Sequence, residues 1–207
     1  MKRFIVSALL LCGLYMATAA QGPSVLGQLC AEMADTAVVM DYSYTLTASG
    51  VKSLGEGLLT VQGKSYVMQG NGLRIYCNSS AMWVVDEAGK EIMIDSVSEE
   101  ADSYLSNPAL LLTNVYDVFS VSSPVANGGM LTYKLSSKSD CGITSGEVTL
   151  DISGNTPVFA SGAFSTSDGV RLDVKIKSMT FVKKKPLTFY VLDLSGFDSS
   201  WMITDLR

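Results

Sequence analysis

Histidine is absent from all 207 residues of the chain. Catalysis by Ser–His or Cys–His pairs and metal sites built on histidine are therefore excluded. The sequence also contains no glycine-rich phosphate loop and no paired-carboxylate signature. It predicts neither an enzyme nor a protein with a resident metal or cofactor.

Basic residues are outnumbered, at 15 Lys and Arg against 20 Asp and Glu, which gives a formal net charge of −5. Loss of Lys2 and Arg3 with a signal peptide would lower this charge to −7. An acidic surface argues against nucleic acid as a partner and against general adhesion to anionic lipid headgroups.

Cysteine is sparse as well, with four residues, of which Cys12 lies in the apolar run near the N-terminus. The other three are an odd number, so at least one thiol is free, and the sequence does not decide whether two of them form a disulfide. We interpret all three as small buried hydrophobic residues. They are Cys30, Cys77 and Cys141.

Long apolar runs are lacking except at residues 4–16, which are too few to span a bilayer as a permanent anchor. A basic start precedes this run, and small residues follow it at Ala17–Ala20. The pattern is typical of a secretory signal peptide over residues 1–20, cleaved after Ala19 or Ala20. It predicts an exported, periplasmic protein with one domain over residues 21–207.

The most informative stretch is Gly55–Asp95, in which five short apolar runs are separated by turn residues such as Gly63-Lys64 and Gly70-Asn71-Gly72. Such turns reverse the chain. Strands this close in sequence pair antiparallel, because a parallel crossover needs a dozen or more residues. The stretch therefore predicts a five-stranded meander, a curved sheet with one face turned inward.

Upstream of the meander, residues 38–49 alternate between apolar and polar side chains, which predicts a strand with one wet face. A helix is predicted before it over residues 23–37, because its apolar residues recur with helical spacing and Ser24 can cap it. The apolar stripe of this helix contains Leu29 and Met33. A plain helix packed on a sheet and a helix that closes an apolar cavity both fit this pattern.

Downstream, residues 107–116 predict a short apolar helix with Pro108 at its first position. This helix lies between polar segments, so it is a candidate lid. Further strands follow from residue 118 onward, of which Leu187–Leu192 is the last, and residues 197–207 receive no assignment. About eleven strands and two helices predict a mainly β (α+β) protein with a barrel or a strongly curved antiparallel sheet.

The order of these elements resembles that of the periplasmic outer-membrane lipoprotein carriers of the LolA type. The resemblance covers most of residues 24–195 and is strongest over 55–116. It is carried by a series of short motifs: Gly55-Glu56-Gly57-Leu58-Leu59, Gly63-Lys64-Ser65-Tyr66, Leu73-Arg74-Ile75-Tyr76, Met82-Trp83-Val84-Val85-Asp86, Glu91-Ile92-Met93-Ile94 and Asn107-Pro108-Ala109-Leu110-Leu111.

Two departures indicate a divergent branch of that family. The turn before the tryptophan strand is Asn78-Ser79-Ser80 where the family usually has Asp-Gly. Lys64 is the nearest basic residue to the position where family members carry an arginine that bonds to the lid.

The resemblance implies an open, unclosed β-barrel of about eleven strands with helices covering its concave face. It implies a monomeric carrier that takes acylated lipoproteins from an inner-membrane transporter and delivers them to an outer-membrane acceptor. The predicted acyl-binding residues are Met40, Tyr42, Tyr44, Leu46, Trp83, Val85, Leu111 and Val115. The predicted lid and latch residues are Leu29, Met33, Lys64 and Leu110.

Three alternatives stay open at this point. Each apolar residue named above could belong to an ordinary core, because alternation does not distinguish a core from a cavity. The protein could be a lipocalin-like binder of a small hydrophobic ligand, or a structural envelope protein without a ligand. The basic run Lys183-Lys184-Lys185 could be a solvated hairpin turn or a docking patch for an acidic partner.

Overall fold

A computed structural model describes residues 24–97, 115–138 and 142–207 of the chain. The first element is the helix α1, Val25–Asp35, and the Ser24 side chain caps it by accepting a hydrogen bond from the Gly27 amide. This cap satisfies one of the donors that a helix N-terminus leaves without an intrahelical partner. The predicted helix and its cap are thus confirmed.

Six strands follow α1 and form a continuous antiparallel meander. The predicted alternating strand and the five predicted strands of residues 55–95 are all present. They are β1 Ala37–Ala48, β2 Val51–Gln62, β3 Ser65–Gly70, β4 Leu73–Cys77, β5 Ala81–Asp86 and β6 Glu91–Ser96.

After residue 114 a short helix, α2, leads into a second series of strands and two 3-10 helices. Their bounds are α2 Val115–Val118, β7 Phe119–Val121, β8 Val125–Asn127, β9 Met130–Ser137, β10 Ile143–Asp151, β11 Val158–Thr166, β12 Arg171–Val182, 3-10 helices Leu187–Tyr190 and Leu194–Gly196, and β13 Met202–Asp205.

All thirteen strands of the described residues belong to one sheet. Its order is β13-β6-β5-β4-β3-β2-β1-β12-β11-β10-β9-β7, and β8 also pairs with β9. The β1–β12 pairing joins the first six strands to the strands that follow residue 114. The strands at the two ends of the order, β13 and β7, do not pair with each other. The sheet is therefore a curved, unclosed one, as the open-barrel prediction required.

The concave face of this sheet is identified by which strands meet there. Cys77 of β4 and Tyr133 of β9 lie far apart in the strand order, yet both belong to the same buried cluster as the α1 residues Leu26 and Met33. Strands so distant can share a core only if the sheet curves around α1. The first hydrophobic core thus fills part of the concavity beneath this helix.

A second, smaller core lies on the opposite, convex face. Along the register, Met40 pairs with Leu59, Leu59 with Met68, Met68 with Ile75 and Ile75 with Val84, so these residues share the concave face. Trp83 precedes Val84 and therefore points the other way. The second core contains Ala81, Trp83, Val85, Ile92 and Ile94, and the C-terminal segment packs on it through Leu192, Leu194, Phe197 and Trp201.

Two details differ from the sequence-based prediction. The described residues contain thirteen strands instead of about eleven, because Val125–Asn127 form β8, which pairs with β9, and residues 202–205 form β13, which pairs in parallel with β6. The predicted strand Leu187–Leu192 is wrong: its first four residues form a 3-10 helix, in which the Phe189 amide donates to the Pro186 carbonyl. The turn buries Tyr190 completely, which an exposed edge strand would not do.

No helix among the described residues combines the length and apolar character needed to cross a membrane.

Candidate functional site

The concave face has a sealed half and an open half. In the sealed half, Leu29 and Met33 of α1 pack against the start of β1, and Met40 is only 2% exposed. This half is close-packed core in the structure. Any ligand that reaches Met40 must first displace α1.

The open half begins at Tyr42, two residues further along β1. Tyr42, Tyr44 and Leu46 are half-buried, and the rings of the two tyrosines stack with their centroids 6.3 Å apart. Their register partners Ile176, Val174 and Leu172 on β12 continue the same apolar strip. The structure thus brings together the four predicted β1 residues in one line, from a buried end to an accessible end.

Two glycines of β2, Gly55 and Gly57, lie opposite Tyr44 and Tyr42 in the β1–β2 pairing, where they leave room for the tyrosine rings. A Cβ atom on Gly55 would overlap the Tyr44 ring, and one on Gly57 would overlap the Gln69 carbonyl oxygen, because both approaches are well under 3.0 Å. Real Cβ atoms do not come so close to other atoms, so the tyrosine rings and the β2–β3 pairing both require glycine here. The Asn71 side-chain amide then fixes Tyr44 by donating to its hydroxyl at 2.7 Å.

A matching arrangement lies on the other side of the concavity and was missed at the sequence level. The Phe164 ring of β11 covers Gly146 and Gly162, where added Cβ atoms would meet it at 2.7 Å and 2.9 Å. The Gly162-x-Phe164 spacing, with the paired Gly146, was the available signal, since an aromatic side chain often covers a glycine in a neighbouring strand. Aromatic rings over strand glycines therefore border the concave face from both sides.

Trp83 and Val85 do not join the other predicted acyl-binding residues. Both lie in the second core on the convex face, where Trp83 is 6% exposed and Val85 is fully buried. The prediction that they share one inner face with Met40 is wrong. The tryptophan strand pairs within the meander as expected. The C-terminal segment covers its convex side, so Trp83 and Val85 are buried there and not beneath α1.

The predicted lid and latch residues fall into three groups. Leu29 and Met33 lie in α1, and Val115 is buried at the start of α2 in the first core. Leu110 and Leu111 lie outside the described residues, as does Cys141. Lys64 lies in the β2–β3 turn, where its carbonyl oxygen accepts a hydrogen bond from the Cys77 thiol.

A hydrogen-bonded connection between α1 and its neighbours runs through Tyr116. The Tyr116 hydroxyl is hydrogen-bonded to the hydroxyl of Ser24, the N-cap of α1, and the Tyr116 ring lies against Gly27. On its other side, the Lys138 ammonium donates to the Tyr116 carbonyl oxygen at 2.6 Å. Tyr116 thus links α1, α2 and the end of β9.

Burial shifts the ionisation of the groups inside the concavity. Desolvation raises the pKa of the Cys30 thiol on α1 from 9.0 to about 11. Desolvation, with a smaller contribution from the charge of Tyr44, raises the pKa of Tyr42 from 10.0 to about 12. Both groups are therefore neutral at physiological pH, and the interior of the concavity carries no charge from them. Cys30 and Cys77 are free thiols.

A cleft of about 630 Å³ lies at the accessible end, where β1, β2 and β12 meet. Leu54, Asp173 and Lys175 pair with Ser43 and Thr45 of β1, so most of the cleft's lining lies on the convex face. Tyr44 and Val174 belong to the concave face. Within residues 24–97, 115–138 and 142–207, no group of three or more acidic or cysteine side chains is arranged to hold a metal ion. The concave strip offers apolar and aromatic side chains against which an apolar chain can pack.

Comparison with known proteins supports the fold but reveals no close relative. No protein-family model and no curated protein matches the chain. Among solved structures, an uncharacterized conserved protein from Thermus thermophilus has a TM-score of 0.54 at 9% identity, covering 87% of this chain and 96% of that one.

A DUF1329 family protein from Desulfovibrio piger has a TM-score of 0.50 at 8% identity, covering 84% of this chain and 96% of that one. A LolA superfamily protein from Nitrosomonas europaea has a TM-score of 0.45 at 9% identity, covering 81% and 96% of the two chains. The chain shares its fold with the Thermus and Desulfovibrio proteins.

Proposed function

We propose that this protein is a non-enzymatic periplasmic carrier, which holds the acyl chains of lipoproteins against its concave face and moves them from the inner to the outer membrane. The observation that supports this proposal best is the division of one apolar strip into a covered and an accessible half. Met40 lies beneath α1, whereas Tyr42, Tyr44 and Leu46 continue the strip toward solvent.

Energetics explain why such a strip suits a carrier. Each buried CH₂ group of an acyl chain is worth about 0.8 kcal/mol, so a chain of about fifteen methylenes resists exposure to water by on the order of 12 kcal/mol. A carrier must offer comparable apolar surface and still release its load. An unclosed sheet offers this surface without the closed wall that would enclose a ligand.

The covering helix supplies a route for loading. α1 buries Leu26, Leu29, Cys30 and Met33 in the first core, so the empty protein hides its own apolar surface in the absence of a load. Displacement of α1 by an acyl chain exchanges one set of apolar contacts for another, which keeps the net free-energy change small. Met33 of α1 and Met40 of β1 both belong to the first core, and flexible methionine side chains adapt to chains of differing shape.

Several parts of the proposal rest on the family resemblance alone. They are the docking of an inner-membrane lipoprotein-releasing transporter, delivery to an outer-membrane acceptor, cleavage of the signal peptide near Ala19 or Ala20, and the monomeric state. We also propose Leu110 and Leu111, with Val115, as lid residues. A Leu111→Glu variant is expected to fold normally and to lose lipoprotein transfer; normal transfer would argue against that role.

The first test is isolation of the protein from the periplasm of the cells that produce it, followed by mass spectrometry of what co-purifies. Acylated proteins are the expected cargo. A single small hydrophobic molecule in their place would favour the lipocalin-like alternative. A preparation free of any lipid or lipoprotein, from cells that make lipoproteins, would favour the structural alternative.

A matched pair of variants on β1 tests the concave face itself. Leu46→Glu places a carboxylate on the accessible part of the strip, whereas Thr47→Glu places it on the other face of the same strand and outside the cleft. A fluorescent fatty acid is expected to bind the Thr47→Glu variant like the wild type and the Leu46→Glu variant at least about tenfold more weakly, since a charge in an apolar contact costs well over 1 kcal/mol. Equal binding by both variants would contradict the proposed site.

A further inference from the structure

The segment directly after β12 combines basic and apolar side chains in an exposed position, and of residues 183–190 only Tyr190 is fully buried. Lys183, Lys184 and Lys185 follow each other, then Pro186, and the 3-10 helix of Leu187–Tyr190 comes next. We call residues 183–189 the lysine turn. Lys183, Lys184 and Lys185 form no ion pair with any residue whose structure is described.

This turn is held in place by a specific set of hydrogen bonds. The Gln62 side chain accepts from the Lys185 amide at 2.8 Å and donates to the Lys185 carbonyl oxygen at 3.3 Å. The Tyr190 hydroxyl also reaches Gln62, and its ring is fully buried. Gln62 is followed by the β2–β3 turn, so the exposed Lys64 lies near the same end of the sheet.

Because Tyr190 and Gln62 anchor the turn, Leu187 points away from the protein, while Phe189 packs edge-to-face on Tyr190 and keeps part of its ring exposed. Leu187 is 73% exposed and Phe189 is 39% exposed, and the Lys185 ammonium lies 5.6 Å from the centre of the Phe189 ring. Lysines beside exposed leucine and phenylalanine are the composition of surfaces that bind at the interface of anionic bilayers. An acidic protein partner would use the lysines but would leave the outward leucine without a role.

We propose that the lysine turn docks on an anionic membrane surface, with its lysines at the headgroups and Leu187 and Phe189 inserted below them. The net charge of −5 for the whole chain makes contact through the rest of the surface unfavourable. Docking is therefore local, weak and reversible. It would hold the proposed carrier at a membrane while cargo is exchanged, but it does not require that the concave face bind acyl chains.

Vesicle co-sedimentation tests this proposal with the purified mature chain. Binding is expected to be absent on phosphatidylcholine vesicles, to rise with the fraction of phosphatidylglycerol, and to fall as salt is added. A Lys183→Glu/Lys184→Glu variant is expected to bind phosphatidylglycerol vesicles at least about thirtyfold more weakly, because each lysine at the surface is worth about 1 kcal/mol and the variant also adds repelling charges. Failure of the wild type to bind these vesicles would overturn the proposal in favour of an acidic protein partner.

Two controls separate docking from general electrostatics and from the carrier function. Lys52→Glu/Lys134→Glu makes the same charge change at exposed lysines of β2 and β9 and is expected to leave binding within about twofold of the wild type. An equal loss in both double variants would refute a local site. Leu187→Ser is expected to reduce the binding that persists at high salt, and a normal fatty-acid affinity in every variant would show that docking and acyl binding are separate.

Discussion

The hydroxyl groups of Ser24 and Tyr116 share a hydrogen bond that joins the first residue of the α1 cap to the helix α2, across 92 positions of sequence. Ser24 also accepts from the Gly27 amide, so one side chain both caps α1 and ties it down. This hydrogen bond lies at the N-terminal end of α1. This bond gives Tyr116 a part in restraining α1.

Tyr116→Phe is expected to loosen α1 while keeping the aromatic packing against Gly27. Loss of a neutral hydrogen bond costs about 1 kcal/mol, so α1 should open about fivefold more often. The measurement is the rate at which a thiol reagent modifies Cys30, in a Cys77→Ser/Cys141→Ser background where Cys30 is the one thiol of the mature chain. The control is Tyr44→Phe, which removes a hydroxyl bonded to Asn71 and should leave the rate unchanged. An unchanged rate in Tyr116→Phe would show that this bond does not restrain α1.

Cys30 should also make the protein sensitive to alkaline pH. The pKa of the Cys30 thiol is raised from the ordinary value of 9.0 to about 11 in the folded protein, so folding favours the neutral thiol. The stabilisation is fully present below pH 9 and is lost as the pH rises through 11, by up to about 3 kcal/mol. Urea unfolding of the wild type and Cys30→Ala between pH 7 and pH 11 tests this. The stability difference between the two should be constant up to pH 9 and then shrink; a constant difference throughout would contradict the assignment.

The glycines opposite the tyrosines give a third prediction. Gly57→Ala forces a Cβ against the Gln69 carbonyl oxygen, so the β2–β3 pairing must shift. We expect the free energy of unfolding to fall by about 2–3 kcal/mol. Gly196→Ala is the matched control, because a Cβ there meets nothing within 4 Å, and its effect should stay within about 0.5 kcal/mol. Equal effects of the two substitutions in chemical denaturation would refute the close approach.

The second core yields a prediction that uses the two tryptophans of the chain. Trp201 packs edge-to-face on Phe197 with ring centroids 4.7 Å apart, and both cover the cluster around Trp83. Trp201→Ala should destabilise the protein by about 2 kcal/mol, since Trp201 is half-buried. It also leaves Trp83 as the one tryptophan, whose emission should move to longer wavelength as water reaches the convex face. Trp201→Phe should preserve both properties, and a blue-emitting Trp83 in Trp201→Ala would indicate that the C-terminal segment does not shield it.

The sequence by itself determined the local elements of this protein. Alternation on β1, the glycine-punctuated meander and the spacing of α1 are short-range patterns, and each specifies its own strand or helix through backbone geometry and turn chemistry. The Ser24 cap and the line from Met40 to Leu46 followed from the same rules. Residues 202–205 gave no such signal, because β13 is short and exposed and is stabilised by pairing with β6.

Only the tertiary structure decided which face each strand buries. Alternation shows that Trp83 and Val85 share a face, but not whether that face meets α1 or the C-terminal segment, since the answer depends on contacts with residues more than a hundred positions away. The same limit applies to Phe164 on its glycines and to the bond between Ser24 and Tyr116. A period-two pattern shows which residues of a strand share a face, whereas the curvature of the whole sheet decides which of the two faces is concave.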